Sequence, residues 1–368
     1  MSSDDIVKLI RPELQSLGGY AAHTSPETLA DKIDIPADKI IKLDANENPY
    51  GCSPRVLRAL AEYQKWNIYP DAAQGRLRRQ LQDYVGVDAS RIVAACGSGE
   101  LLDDILCLFV RPGDEVINCT PTFDMYRTRT LINSATLVNV PRDEDYAIDI
   151  GAVKAAVTPK TKLVILANPN SPTGTATPES DILELLEMRV PVLVDEAYYE
   201  FYGKTAVSLV GRYPNLMVLR TFSKWAGLAG LRVGYGIFPS EVASYLIKIK
   251  LPYNVNVAAL VAVQESLNDV DYLMGNVKAI IDERERMFRE IEKIDWLKTF
   301  PSQANFIFCS VQRGDAGRLH QRLQQKGILV RYFDQPRLQN CIRFSVGKPE
   351  DTDTLMKVLQ RLGDRTNG

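Results

Sequence analysis

The chain has 368 residues, of which 45% are hydrophobic and 24% are charged. This composition is typical of a globular protein, and the length allows two or three domains or one large unit with a smaller partner. The 44 basic and 46 acidic residues leave a formal net charge of −2, which is too even for non-specific binding to nucleic acid. Six cysteines without a CxxC pair are expected to be reduced core thiols, and two histidines are too few for a His-rich metal site.

The first five residues include Asp4 and Asp5 and are acidic where a secretory signal would be basic. The apolar stretch over residues 251–264 contains proline and two asparagines, and it is too short to span a bilayer. We therefore expect a cytoplasmic protein with neither a membrane nor a nucleic-acid partner.

Residues 1–50 are polar and irregular, with one short helical pattern at the start. From about residue 54 to residue 250, helical stretches alternate with short apolar runs bounded by glycine, proline or asparagine. The runs include residues 92–95, 115–117, 163–166, 192–194 and 217–219. Continuous apolar strands between helices predict a mostly parallel, doubly wound sheet covered on both faces, in a large α/β domain over residues 51–274.

A long amphipathic helix is predicted over about residues 277–294, with the charge run at 282–286 on its solvated face. After Pro301 the patterns predict a strand at 305–309, a helix at 317–326, strands at 328–332 and 341–346, and a helix at 350–362. These elements predict a small α+β domain over residues 275–368, which the N-terminal segment 1–50 joins.

The first chemical motif is Gly97-Ser98-Gly99-Glu100, between an apolar strand and a helical pattern. Free N–H groups at a helix start and small residues can hold a phosphate. The third glycine of the dinucleotide fingerprint is missing, so a plain tight turn and a phosphate site are both open.

The second motif is the acidic pair Asp195-Glu196 at the end of an apolar strand. Such a pair could be a Mg²⁺-binding Walker B carboxylate, but that interpretation needs a preceding GxxxxGK(S/T) phosphate loop. Gly203-Lys204-Thr205 follows the pair, and Tyr198 occupies the position of the first glycine of that pattern. The nucleotide-hydrolase interpretation therefore fails, and the carboxylate must serve another cation.

The third motif is Lys224, which lies just past a strand in the glycine-rich segment 220–236. Thr221, Ser223 and Arg232 in this segment can hold a phosphate monoester, while the lysine amine reaches an aldehyde. A lone lysine after a strand is usually a surface residue, but this context favours a functional one.

This segment resembles the lysine segment of the fold-type-I pyridoxal-phosphate aminotransferases. Further motifs follow in that family's order: residues 44–49, 69–71, 97–100, 121–123, 168–174, 195–198 and 342–343. Within the family, residues 45–50, 68–71 and 195–201 are most similar to those of the histidinol-phosphate aminotransferases. The resemblance covers nearly the whole chain and implies a large cofactor-binding domain and a small domain.

The resemblance implies pyridoxal 5′-phosphate as the cofactor, with no metal. Lys224 would hold it covalently and then move a proton as a base, and Asp195 would pair with its ring nitrogen. Tyr198 and either Asn170 or Ser171 would bind the ring oxygen. The remaining cofactor-binding residues would be Phe123 on the ring face, Ser98, Gly99, Glu100, Thr221, Ser223 and Arg232, with Tyr69 from the partner subunit of a homodimer.

The resemblance also implies three substrate-binding residues: Arg343, Arg331 and Tyr20. The expected activity is ping-pong transamination in histidine biosynthesis, in which histidinol phosphate and 2-oxoglutarate give imidazole-acetol phosphate and glutamate. Alternatives on the same fold are an aromatic aminotransferase and a phosphothreonine decarboxylase. An alternative of another class is a non-catalytic, nucleotide-binding α/β protein.

Overall fold

The computed structural model describes residues 3–15, 17–18 and 24–363. The helices are α1 (Ser3–Val7), α2 (Pro12–Gln15), α3 (Pro26–Ala30), α4 (Pro54–Glu62), α5 (Gly75–Val85), α6 (Ser98–Phe109), α7 (Met125–Ile132), α8 (Ile150–Ala156), α9 (Glu179–Leu186), α10 (Tyr199–Tyr202), α11 (Ser240–Ile249), α12 (Val257–Leu267), α13 (Val270–Ile291), α14 (Ala316–Gln324) and α15 (Pro349–Gly363). The strands are β1 (Ile41–Leu43), β2 (Ile92–Ala95), β3 (Glu115–Thr120), β4 (Thr136–Pro141), β5 (Thr161–Ala167), β6 (Val192–Asp195), β7 (Leu216–Thr221), β8 (Gly234–Ile237), β9 (Leu297–Phe300), β10 (Phe306–Val311), β11 (Ile328–Tyr332) and β12 (Cys341–Ser345).

Seven strands form the larger sheet, in the order β2-β8-β7-β6-β5-β3-β4. Strand β8 runs antiparallel to its neighbours β2 and β7, and the other pairs are parallel. Successive residues of β5 alternate between two hydrophobic clusters: Val164 and Leu166 pack with α9 and α12, whereas Leu163 and Ile165 pack with α6 and α11. Both faces are therefore covered, which confirms the predicted doubly wound, mostly parallel sheet.

The smaller sheet has five strands, in the order β1-β11-β12-β10-β9. Strand β1 comes from the N-terminal segment and pairs parallel with β11, so this segment contributes to a sheet whose other strands follow residue 296. The remaining pairs are antiparallel. This arrangement accords with the expected small α+β unit.

Helix α13 joins the two parts of the chain. It packs against α10 and α12 of the first part and against α15, β9 and β10 of the second. The predicted boundary between residues 274 and 275 falls inside this continuous helix, so the division 1–50, 51–274 and 275–368 remains our proposal.

The cysteines and the apolar character of the helices bear on two further expectations. All six cysteines are free, but Cys96 and Cys107 are exposed, so the prediction that all are core thiols is wrong for these two. Cys96 lies just before α6, and Cys107 lies on the exposed face of that helix. None of the helices that the structure describes is long and apolar enough to cross a membrane.

Candidate active site

A cavity of about 570 Å³ lies at one edge of the larger sheet and extends to the smaller sheet. The last residues of β5, β6 and β7 line it, because the carboxyl ends of parallel strands meet at the same edge. The predicted site residues that line it are Ser98, Gly99, Glu100, Phe123, Ser171, Asp195, Tyr198, Thr221, Ser223, Lys224, Arg232, Arg331 and Arg343. The fold thus brings together residues that lie up to 245 positions apart, from Ser98 to Arg343.

Lys224 follows β7 by three residues, and its Nζ donates a hydrogen bond of 2.8 Å to the carbonyl oxygen of Ala45. Burial and the nearby positive charge of Arg343 lower its pKa from 10.5 to about 7. A substantial fraction of the amine is therefore neutral near pH 7, as a nucleophile or a general base requires.

Asp195 ends β6 and is buried. The Tyr126 hydroxyl donates to its Oδ2 at 2.8 Å, and the N–H of Ala197 donates to Oδ1 at 3.1 Å. Burial raises the pKa of Asp195 to about 6, although these two hydrogen bonds oppose the shift. A cation placed beside this carboxylate would be bound strongly, because little water competes for it.

Tyr198 lies three residues after Asp195, is buried, and lines the cavity. Its Oη accepts a hydrogen bond of 2.9 Å from the Asn46 amide, and it also contacts the Ser171 hydroxyl. Burial raises the pKa of Tyr198, which keeps the phenol protonated at neutral pH. The hydroxyl can therefore donate to an oxygen in the cavity.

The first turn of α6 forms a cradle for an anion. Gly97 precedes it at φ +81°, and a Cβ on Gly97 would lie 2.7 Å from an Arg232 guanidinium nitrogen. Only glycine therefore lets Arg232 approach this turn. The hydroxyls of Thr221 and Ser223 lie beside it, 2.9 Å from each other. Free N–H groups at a helix start, together with a guanidinium, bind phosphate groups.

Glu100 lies in the same turn, but its carboxylate forms hydrogen bonds within the protein. It accepts hydrogen bonds from the N–H of Cys96 and from the Asn254 amide. A carboxylate has no proton to give to a phosphate, and it closes the turn as a capping residue does. Glu100 lines the cavity while it closes this turn, and its direct contact with the cofactor stays a prediction.

The alternatives Asn170 and Ser171 are separated by their positions. Asn170 is fully buried, donates to the Pro121 carbonyl and Thr173, and is absent from the residues that line the cavity. Ser171 lines the cavity, and its Oγ accepts from an Arg343 nitrogen at 3.2 Å. The structure therefore brings Ser171, and not Asn170, to the site.

Three predicted residues bring aromatic and cationic character to the lining of the cavity. Phe123 is 38% exposed, lines the cavity and meets Tyr126 edge to face at 5.5 Å. Arg331 and Arg343 are directly opposite each other in the β11–β12 pair, with their guanidinium carbons 5.6 and 5.8 Å from the centre of the Phe333 ring. Two like charges at opposite positions favour an anionic ligand between them.

Of the other predicted residues, Tyr69 is placed away from this cavity. Tyr69 is 78% exposed, stacks on Tyr253 at 4.6 Å and is not among the lining residues. Tyr20 lies outside the described residues.

Sequence reasoning missed Tyr126, Ala45 and Asn46 as partners of the central residues. Tyr126 reaches Asp195 across 69 positions, and no local pattern could have paired them. Asn46 and Ala45 belong to a motif that the resemblance included, but nothing in the sequence gave them a role.

The family described as aminotransferase class I and II matches residues 38–359. The chain belongs to this family. Pyridoxal 5′-phosphate is the cofactor of these enzymes, as predicted, and the cavity fits it. An amine of lowered pKa suits its aldehyde, a buried carboxylate suits its ring nitrogen, and the cradle at α6 suits its phosphate.

The individual relatives point to one group of enzymes within this family. The histidinol-phosphate aminotransferase of Dehalococcoides mccartyi is 52% identical over 98% of this chain and 99% of its own length. A chloroplastic histidinol-phosphate aminotransferase of Arabidopsis thaliana is 41% identical over 96% and 85%. A crystal structure of the Sinorhizobium meliloti histidinol-phosphate aminotransferase with pyridoxal 5′-phosphate has a TM-score of 0.87 at 27% identity, covering 96% of this chain and 98% of that one. The predicted resemblance to this group is confirmed.

Proposed function

We propose that the protein is a histidinol-phosphate aminotransferase, which transfers the amino group of histidinol phosphate to 2-oxoglutarate. Relatives of this name in bacteria and plants, at 41–52% identity over nearly the whole chain, support the proposal. The observation that carries it is the pair Arg331 and Arg343, which faces the same cavity as Lys224.

The cofactor, when bound, supplies an electron-withdrawing ring that makes the substrate Cα proton removable. Lys224 would hold the cofactor and then carry that proton on its Nζ, for which a pKa of about 7 is suited. Asp195 would keep the ring nitrogen protonated, and Tyr198 with Ser171 would bind the ring oxygen. The cradle of Ser98, Gly99, Thr221, Ser223 and Arg232 would fix the cofactor phosphate.

The two arginines would bind the anionic ends of both substrates in turn. A phosphate offers more acceptor oxygens and more charge than a carboxylate, so it can engage both guanidiniums. Glutamate and 2-oxoglutarate would place a carboxylate on Arg343, which is held by the Asp44 carbonyl and by Ser171. One site can therefore accept the two substrates of a ping-pong reaction.

The proposal includes a homodimer. Tyr69 lies among exposed large apolar side chains, which also include Trp66, Ile68, Leu251 and Tyr253. Contiguous apolar surface of this kind is typical of protein interfaces. Tyr69 would then reach the cofactor phosphate of the partner subunit. The cytoplasmic location remains a prediction.

A substrate panel tests the function. A charge-assisted hydrogen bond contributes about 1.5–3 kcal/mol, and two guanidiniums on a phosphate make more than one. We therefore expect kcat/KM for histidinol phosphate to exceed that for histidinol and phenylalanine by at least about a hundredfold. Arg331→Ala should narrow this gap, whereas Arg343→Ala should impair both half-reactions. Arg318 is an exposed residue of α14, and Arg318→Ala is the control variant.

Other outcomes would assign the other functions. Equal or faster turnover of phenylalanine would make the protein an aromatic aminotransferase, and release of CO₂ from phosphothreonine would make it a decarboxylase. A nucleotide-binding protein without activity is disfavoured by membership of the aminotransferase family.

A further inference from the structure

Asn46 connects the N-terminal segment to both sheets and is only 1% exposed. Its backbone N–H donates to Ser345 Oγ at 2.8 Å, and its carbonyl oxygen accepts from the Asn305 amide at 2.9 Å. Its side-chain Nδ2 lies 2.9 Å from Tyr198 Oη. Its φ of +54° is in the left-handed region, which asparagine tolerates better than most residues.

The hydrogen bonds around Asn46 fix which end of its amide faces Tyr198. Ser345 Oγ accepts from the Asn46 N–H, so its single proton is free to go to Asn46 Oδ1, which lies 2.9 Å away. This bond makes Oδ1 the acceptor that faces Ser345. In this arrangement the donating Nδ2 faces Tyr198.

The direction of this bond determines what the Tyr198 hydroxyl can do. Because Tyr198 Oη accepts from Asn46, its own proton cannot point to Asn46 and is left for the cavity side. Ser171, which also contacts Tyr198, lines the cavity on that side. The bond thus makes Tyr198 a donor toward the cavity.

We propose that Asn46 is a positioning residue for the reaction: its amide holds the Tyr198 hydroxyl as a hydrogen-bond donor to the ring oxygen of the cofactor. This inference rests on the proposed function. Asn46 itself acts through Tyr198. The chain of contacts runs from Ser345 in the smaller sheet through Asn46 to Tyr198 beside the larger sheet, so the hydroxyl is oriented by residues from both parts of the molecule.

The variant Asn46→Gly removes the amide and keeps a residue that adopts a positive φ. A hydrogen bond to the ionised ring oxygen favours the ionised form, so weakening that bond raises the pH at which the bound cofactor changes its absorbance. We expect the midpoint in Asn46→Gly holoenzyme to rise by roughly half to one pH unit. The apoprotein should bind the cofactor about 3- to 10-fold more weakly, as for the loss of one hydrogen bond.

Two further variants separate positioning from packing. Asn305→Ala removes the bond to the Asn46 carbonyl, leaves the amide in place, and should lower Tm without moving the absorbance midpoint. Ser345→Ala frees the amide to rotate and should move the midpoint in the same direction as Asn46→Gly, by less. In a Tyr198→Phe background, Asn46→Gly should add no further shift, because there is no hydroxyl left to orient.

An unchanged midpoint in both Asn46→Gly and Ser345→Ala would overturn the inference, and so would an equal shift in Asn305→Ala. These outcomes leave the wild-type reaction intact, so they are distinct from failure of the proposed function. That failure would be seen as a wild-type protein that binds cofactor without transaminating histidinol phosphate, or that binds none.

Discussion

The Lys224 amine lies where its neutral form is favoured. Burial removes the water that would stabilise an ammonium group, and the Arg343 guanidinium repels a second positive charge. Glu47 opposes these effects only in part, so the pKa falls from 10.5 to about 7. Above pH 7 the amine is mostly unprotonated, and below it mostly protonated.

We predict that pyridoxal 5′-phosphate reacts with the apoprotein at a rate that rises with pH through a midpoint near 7 and then levels off. Only the unprotonated amine attacks an aldehyde, so the rate follows the fraction of neutral Lys224. Stopped-flow absorbance between pH 5.5 and 9 measures it. Lys224→Ala should lack the absorbance change of this reaction. Nα-acetyl-lysine, whose side-chain amine is free in water, is the control, and its rate should show no plateau below pH 9. A protein rate that also rises steadily to pH 9 would contradict the lowered pKa.

Sequence reasoning selected the residues whose chemistry is local to one motif. Lys224, Asp195 and Arg232 each follow a strand or turn within a recognisable string, and each lines the cavity. It could not decide roles that depend on which way a side chain turns. Asn170 and Ser171 are adjacent, but only one faces the cavity, and Glu100 turns back to cap its own helix.

At the scale of elements, strand β8 positions the phosphate cradle. It lies between β2 and β7, and its Gly234 is packed against the turn that starts α6. A Cβ on Gly234 would lie 2.5 Å from Ser98 N and 2.9 Å from the Arg220 carbonyl oxygen. The sequence did not predict this strand, because two glycines in four residues weaken the strand pattern.

We predict that Gly234→Ala lowers affinity for the cofactor as well as stability. The new methyl group meets backbone atoms of Gly97, Ser98 and Arg220, so the turn that forms the cradle must shift. Overpacking of this kind costs about 1–3 kcal/mol. Cofactor titration of the apoprotein and thermal unfolding measure the two effects.

Gly236→Ala, two residues along the same strand, is the matched control. Its Cβ would lie 2.3 Å from the buried Phe238 ring and 3.0 Å from a Leu219 methyl group, and neither contact involves the cradle. It should lower Tm with little change in the cofactor Kd. Equal losses of affinity in the two variants would mean that the strand acts through general stability alone.

At the scale of the whole molecule, the sequence predicted the layers better than the way they are joined. Apolar runs between helices sufficed for the parallel sheet, since strands buried on both faces need few polar residues. The pairing of β1 with β11 joins segments 287 residues apart, from Ile41 to Ile328, and a three-residue strand carries too little pattern to predict it. The boundary between the two domains was likewise hard to predict, because the continuous helix α13 packs against elements of both parts of the molecule.

Our last prediction concerns the shared site of the proposed homodimer. Lys224 lines the cavity of its own chain, whereas Tyr69 is exposed outside it. Lys224→Ala and Tyr69→Ala chains should each be impaired alone. When their subunits exchange, the heterodimer contains one site with both residues intact and one site that lacks both. Random pairing should therefore restore about a quarter of wild-type activity in an equal mixture, since a two-fold dimer has two equivalent sites.

Lys224→Ala mixed with Asp195→Asn is the control for this experiment. Both of these residues line the cavity of a single chain, so every site in the heterodimer carries one of the two defects. That mixture should regain no activity, which separates true complementation from stabilisation by mixing. If subunit exchange is confirmed by mass and the Tyr69 mixture also regains nothing, Tyr69 does not act across the interface. The exposed apolar surface around it would then need another explanation than a shared site.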